Sequence, residues 1–288
     1  MPAGKGFVMT RPSASPRQHG DRRLFAVQLG LCLVMLVLRI LDLLLFTDPA
    51  TGFVETGWFG LRILLPAAVA VLAYLTARRA APRPLALLGA CPPLGGALLG
   101  AGVAMAAACP LELLAGGSMA WISAATALLS AVWCLVYGAR AFRPLADPIA
   151  RLPGAIWALP GVAFVFWCGI YRFAVAPASV VRLGYTLRVL SAVAALLFLV
   201  VLFRVFFTPG LPVGRSLYAT GCNAFLFCTC HELPQAVFGQ LYGRVTLAEL
   251  AASLAFGLLG VAGLACAWYA SGEGAPLPAD TKPARTTT

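Results

Sequence analysis

Of the 288 residues, 61% are hydrophobic and 11% charged, where a soluble domain carries about 25% charged residues, so a water-soluble globular fold is excluded. Long apolar runs without strict alternation exclude a membrane barrel; each crossing must be a helix that satisfies its own backbone in lipid. The net charge of +11 reads as topology, because Lys and Arg hold cytoplasmic loops in place, and gives no support for nucleic-acid binding.

The expected fold is an all-α polytopic integral membrane helix bundle of about eight transmembrane helices, with both termini inside. Residues 1–23 form a basic cytoplasmic arm with Lys5, Arg11, Arg17, Arg22 and Arg23, expected to be disordered. The first span, 24–46, is longer than a signal-peptide core and no small-x-small site follows it, so it reads as an uncleaved helix. Further spans are expected at 58–76, 85–108, 118–139, 155–173, 187–207, 217–241 and 247–270, with a disordered tail at 271–288. The third is rich in Gly and Ala, which lets backbones approach, and its Pro92 and Pro93 are expected to kink or break it. The basic loop 140–153 is a candidate interfacial segment.

With the N-terminus inside, the inner segments hold Arg78, Arg79, Arg83, Arg140, Arg143, Arg151, Arg215, Lys282 and Arg285 as well as the arm. The outer loops and their flanks hold Arg172, Arg182, Arg188 and Arg244. Arg172, Arg182 and Arg188 run against the positive-inside rule. Either they meet an anionic ligand on the outer face or a span there is miscounted. The nine cysteines lie within predicted spans apart from Cys109, and read as packing residues, since a free thiol behaves as a small hydrophobe.

The seventh span is the informative one. At helical spacing Ser216, Thr220, Asn223, His231 and Gln235 share a stripe, with Cys228 and Glu232 beside it. A polar group facing hydrocarbon costs free energy unless it finds a partner, so this helix belongs inside the bundle. Pro234 cannot donate to the carbonyl of Cys230. The freed carbonyl is either a broken-helix contact of the transporter kind or an ordinary kink satisfied by neighbours.

Arg39 and Asp42 stand three apart on the first helix and can pair. Counted from the outer ends at about 1.5 Å per residue, Arg39, Asp42, Arg62, His231 and Glu232 fall in one layer. Glu232 is therefore expected to pair with Arg39 or Arg62, with Asn223 on the inner side of the same path. Cys228, His231 and Glu232 could share a face as metal ligands. Zinc sites, however, assemble four ligands or three with an open position, and the other histidine is His19 in the arm. No metal, cofactor or catalytic residue is assigned. His231-Glu232 continues Leu-Pro-Gln, which is not HExxH, and no P-loop or serine elbow is present.

After the first helix comes Thr47–Gly57, where Asp48, Thr51, Gly52 and Phe53 form a D-x-x-T-G-F stretch. It resembles the first outer loop of uncharacterised bacterial multi-pass membrane proteins. The resemblance carries no activity and transfers no role. Locally, Asp48-Pro49 suits a turn.

The leading functional expectation is a transporter-like or permease-like subunit of the cell membrane with a polar path along the seventh helix. The bilayer is its first partner and other membrane subunits a further class. The alternative is a non-catalytic scaffold, sensor or assembly component, and the third reading is a membrane-embedded enzyme.

Overall fold

Proline, glycine and short polar runs set the helix boundaries. The computed structural model describes residues 16–48, 51–54, 59–79, 85, 87, 91–142, 155–175, 183–208 and 211–272. They form α1 (Pro16–Leu45), α2 (Phe59–Ala77), α3 (Pro92–Ala115), α4 (Ala120–Arg140), α5 (Leu159–Val175), α6 (Leu183–Phe207), α7 (Gly214–Ala224), α8 (Leu233–Leu241) and α9 (Leu247–Ser271). A 3-10 turn, Ala155–Ala158, leads into α5, and a π-helical segment, Phe225–Glu232, joins α7 to α8. Among the described residues the only extended pairing is one isolated bridge, Thr47 to Val54.

Seven helices (α1 to α6, and α9) are long and apolar enough to span a membrane. The chain also stays helical without interruption from Gly214 to Leu241, about 42 Å at 1.5 Å per residue, within the all-α polytopic bundle. The end of the bundle that holds Leu45, Leu241 and Leu247 is called outer here, after the charge distribution of the loops.

α3 is the inner post, packed against α4 and α9, while α9 also packs on α7 and the π segment. Its buried face reads Leu94, Ala97, Leu98, Ala101, Ala104, Met105 and Ala108. Small residues matter here because lipid supplies no hydrophobic drive between helices and close van der Waals contact must do the holding. At the α3–α4 crossing a Cβ on Gly138 would stand 2.9 Å from the amide nitrogen of Leu99. At the α7–α9 crossing a Cβ on Gly221 would overlap the carbonyl of Gly263. α1 lies against the π segment and α2 against α7, joined by buried Phe25, Cys32, Met35, Val69 and Ala73. The outward face of α1, with Val34, Val37, Leu38, Leu41, Leu44 and Leu45, is exposed, as a lipid-facing stripe should be.

Three expectations need correcting. α1 begins at Pro16, upstream of residue 24, so the last part of the basic arm is helical; residues 1–15, the tail from 273, and 143–154 of the basic loop lie outside the described residues. The third crossing is Pro92–Ala115, not 85–108. Pro92 and Pro93 are not a break: they occupy the first helical positions, where a missing N–H has no intrahelical partner to lose. Leu85, Leu87 and Cys91 are buried ahead of that helix.

The distortion expected at Pro234 does exist, and it is a π segment. The N–H of Leu233 reaches the carbonyl of Cys228, five residues back. Pro234 has no N–H for Cys230, so the ladder widens before it and α8 restarts with proline in its first turn. The wide turn is pinned to α9 by Thr229, whose Oγ1 donates to the Gly257 carbonyl at 2.7 Å.

Candidate functional site: a polar helix between a groove and a buried ion pair

The α7–π–α8 rod has two polar faces. One looks out between α2 and α6, both of which pack against α7. Three cavities border the rod, one between α2 and α6, one bounded mainly by α1 and α2, and one by the 51–53 segment, α6, α8 and α9. The middle one, about 370 Å³, is lined by Arg39 and Asp42 of α1, Arg62 and Leu65 of α2, Leu187 of α6 and His231. A smaller one of about 160 Å³ lies further in, between Ala70 and Tyr74 of α2 and Leu190 and Leu197 of α6, floored by Thr220, Asn223 and Phe227. The outer one, about 330 Å³, holds Gln235 together with Gly184, Arg188, Arg244 and Glu249. Four residues of the polar stripe read from the sequence, Thr220, Asn223, His231 and Gln235, thus line these cavities.

Four of the expected residues meet in one cluster. Asp42 takes Arg39 through Oδ2 and Arg62 through Oδ1, each at 2.6 Å. Arg39 also donates through Nη2 to Gln235 Oε1, which ties α1 to α8. Gln235 therefore touches the charge cluster on one side and lines the outer cavity on the other. Arg39 is 6% exposed and His231 3%. Neither ring nitrogen of His231, nor Arg39 Nε, has a hydrogen-bond partner among the described residues. The imidazole leans on Phe227, its ring centre 6.1 Å away. Asn223 is one cavity removed from this cluster, and its Oδ1 is likewise unpaired.

Glu232 does not join them. Consecutive residues on a helix point about 100° apart, so Glu232 turns to the other face and meets Arg172, which corrects its expected pairing with Arg39 or Arg62. Arg172 clamps the carboxylate with both terminal nitrogens, at 2.6 and 3.2 Å. Ser253 donates to Oε1 at 3.0 Å, and Ser191 donates to Oε2. The guanidinium also donates to the Arg188 carbonyl at 2.9 Å and lies over the Phe256 ring, 4.4 Å from its centre. A carboxylate that is 0% exposed is tolerable only with such company. Cys228, once a conceivable co-ligand of His231, instead donates to the Ser191 carbonyl at 3.3 Å.

This pairing accounts for part of the outer basic excess. Arg172 is engaged by Glu232, and Arg188 faces Glu249 at 3.8 Å; Arg182 lies outside the described residues. Sequence reasoning missed Arg172 as the partner of Glu232, along with Ser191 and Ser253. The available signal was the misfit of Arg172 with the charge rule, set against a lone acid near the same depth.

The described residues of the D-x-x-T-G-F stretch are tied together by local hydrogen bonds. Asp48 accepts from the Thr51 amide at 3.1 Å and from the Thr51 hydroxyl, and the Gly52 amide donates to the Asp48 carbonyl at 2.8 Å. Gly52 has φ +72°, and the Arg244 guanidinium occupies the place where a side chain would project. Comparison with protein-family models, with curated proteins and with solved structures finds no match.

Proposed function

We propose that this multi-pass membrane protein is a transporter-like or permease-like subunit of the cell membrane whose path is the groove between α2 and α6. The observation that carries this reading is that three cavities border the distorted rod, with Gln235, His231, Asn223 and Thr220 among their lining residues. Buried polar groups without partners are expensive unless something polar passes or binds there. A π segment supports the same reading, since such widened turns are found mostly at functional sites.

A scaffold would satisfy its polar residues as Glu232 is satisfied, by neighbours on α5, α6 and α9. The contrast between the saturated Glu232 side and the unsaturated His231 side favours a path over packing. The test is sided accessibility. Single cysteines replacing Asn223, Phe227 and His231, in a background with the native cysteines removed, are labelled from each side of the membrane with an impermeant thiol reagent. A path gives labelling at Asn223→Cys from the inner side and at His231→Cys from the outer side. Labelling from neither side rules transport out and leaves the scaffold reading.

A further inference from the structure

We infer that the middle cavity binds the phosphate headgroup of an anionic phospholipid, with the acyl chains lying along the outward face of α1. This deepens the reading above and rests on it in one respect, that the middle cavity, bounded mainly by α1 and α2, admits a ligand.

Two features of the cavity point this way. Its floor is polar and cationic: Arg39, Arg62 and His231 converge there with Asp42. His231 is 97% buried by its 3% exposure, lines the cavity, and keeps both ring nitrogens without a partner among the described residues. Arg39 keeps Nε unpaired beside it. An oxyanion meets the donors among these groups, since its oxygens accept from the guanidinium N–H and from an imidazole N–H, and charge-assisted bonds of this type are the strong ones.

The walls are of the opposite character. Leu38, Leu41, Leu45, Phe46 and Leu61 are exposed large hydrophobics at its mouth, on or just beyond α1 and on α2, with Met35, Leu65 and Leu187 completing the lining further in. A soluble anion would gain nothing from that rim. An amphiphile gains from both parts, with its head on the arginines and its chains against leucines that already face lipid. The depth is suitable as well. Arg39 lies six positions before Leu45, the end of α1, or about 9 Å along the axis, so a headgroup drawn in between α1 and α2 meets it within two turns of the outer end.

The experiment uses the full chain, purified in detergent and examined by native mass spectrometry after addition of phosphatidylglycerol, phosphatidylcholine or inorganic phosphate. The expected result is one retained phosphatidylglycerol per chain, with phosphatidylcholine bound about tenfold more weakly. Inorganic phosphate should not compete at millimolar concentration. His231→Phe should weaken phosphatidylglycerol retention about tenfold. Leu41→Trp narrows the apolar mouth from an exposed position, so it leaves the fold and the arginines in place; it should reduce retention of the lipid several-fold.

Equal retention of both lipids, unchanged by either variant, overturns the proposal. Competition by inorganic phosphate, with no effect of Leu41→Trp, overturns the lipid assignment in favour of a phosphate site. The groove reading fails separately, through absent thiol labelling at 223 and 231, and lipid retention alone would not rescue it.

Discussion

His231 and Glu232 are adjacent in the chain and serve opposite sides of the same π turn. Glu232 points into the bundle, where Arg172, Ser191 and Ser253 saturate its carboxylate. His231 points toward the cavity that holds Arg39, Asp42 and Arg62. One peptide bond thus separates the part of the helix that holds the fold together from the part that is left chemically open.

The first prediction concerns the saturated side. Removing one partner of a buried ion pair leaves the other charge uncompensated, at a cost of about 3–5 kcal/mol. Glu232→Leu and Arg172→Leu should each lower the thermal midpoint in detergent sharply. The double variant should recover most of the loss, because the uncompensated charge is gone. Exchanging charge between Glu232 and Arg39 should not rescue folding, since the two are not partners.

A second prediction separates Arg39 as a charge from Arg39 as a fork. It holds Asp42 with one terminal nitrogen and Gln235 with the other. Arg39→Lys retains charge but has no fork to span both groups. In a double-mutant cycle with Gln235→Leu, stability in detergent should show a coupling of about 1 kcal/mol. Strict additivity would mean that the α1–α8 link does not form.

Pro234 offers the third. Pro234→Ala restores the N–H that Cys230 lacks and lets the π segment relax toward α-helix. Amide exchange across 225–233 should slow in the variant, measured by mass spectrometry. Relaxation also rotates His231 relative to Arg39, so phosphatidylglycerol retention should fall although the helix is better bonded.

The outer loop provides the fourth. Gly52 has φ +72°, a region that costs a side chain about 1–2 kcal/mol, and Arg244 stands where a Cβ would be. Gly52→Ala should destabilise by about that amount in thermal unfolding. Gly60→Ala is the control: its added Cβ would meet nothing within 4 Å, and a helical Gly→Ala change is neutral or favourable.

Much of this was legible in the sequence because lipid imposes simple rules. Apolar runs located the crossings, and the periodic polar residues identified the one helix that could not face hydrocarbon. Arg39, Asp42, Arg62 and His231, expected in one layer, line one cavity, because equal depth on neighbouring helices is a strong constraint, while Gln235 joins Arg39 from one turn away. Helical starts were harder to read. Pro92 has the same local signature whether it breaks a helix or opens one, and only the course of the preceding chain decides. The destination of Glu232 was hidden for a different reason. Spacing on an ideal helix placed it near His231, but which neighbouring helix it meets depends on packing, and Arg172 is sixty positions away in sequence. Its misfit with the charge rule was the trace that packing left.

The most direct measurement is a nitroxide scan of the rod in a lipid bilayer, comparing collision rates with a water-soluble nickel chelate. Labels replacing Thr220, Asn223, Phe227, His231 and Gln235 should collide readily, and labels replacing Ala224, Cys228 and Ala236 should be protected, with the phase of the pattern shifting across residues 225–232. Protection along both faces alike, or exposure on the Cys228 face, would contradict a polar groove between α2 and α6.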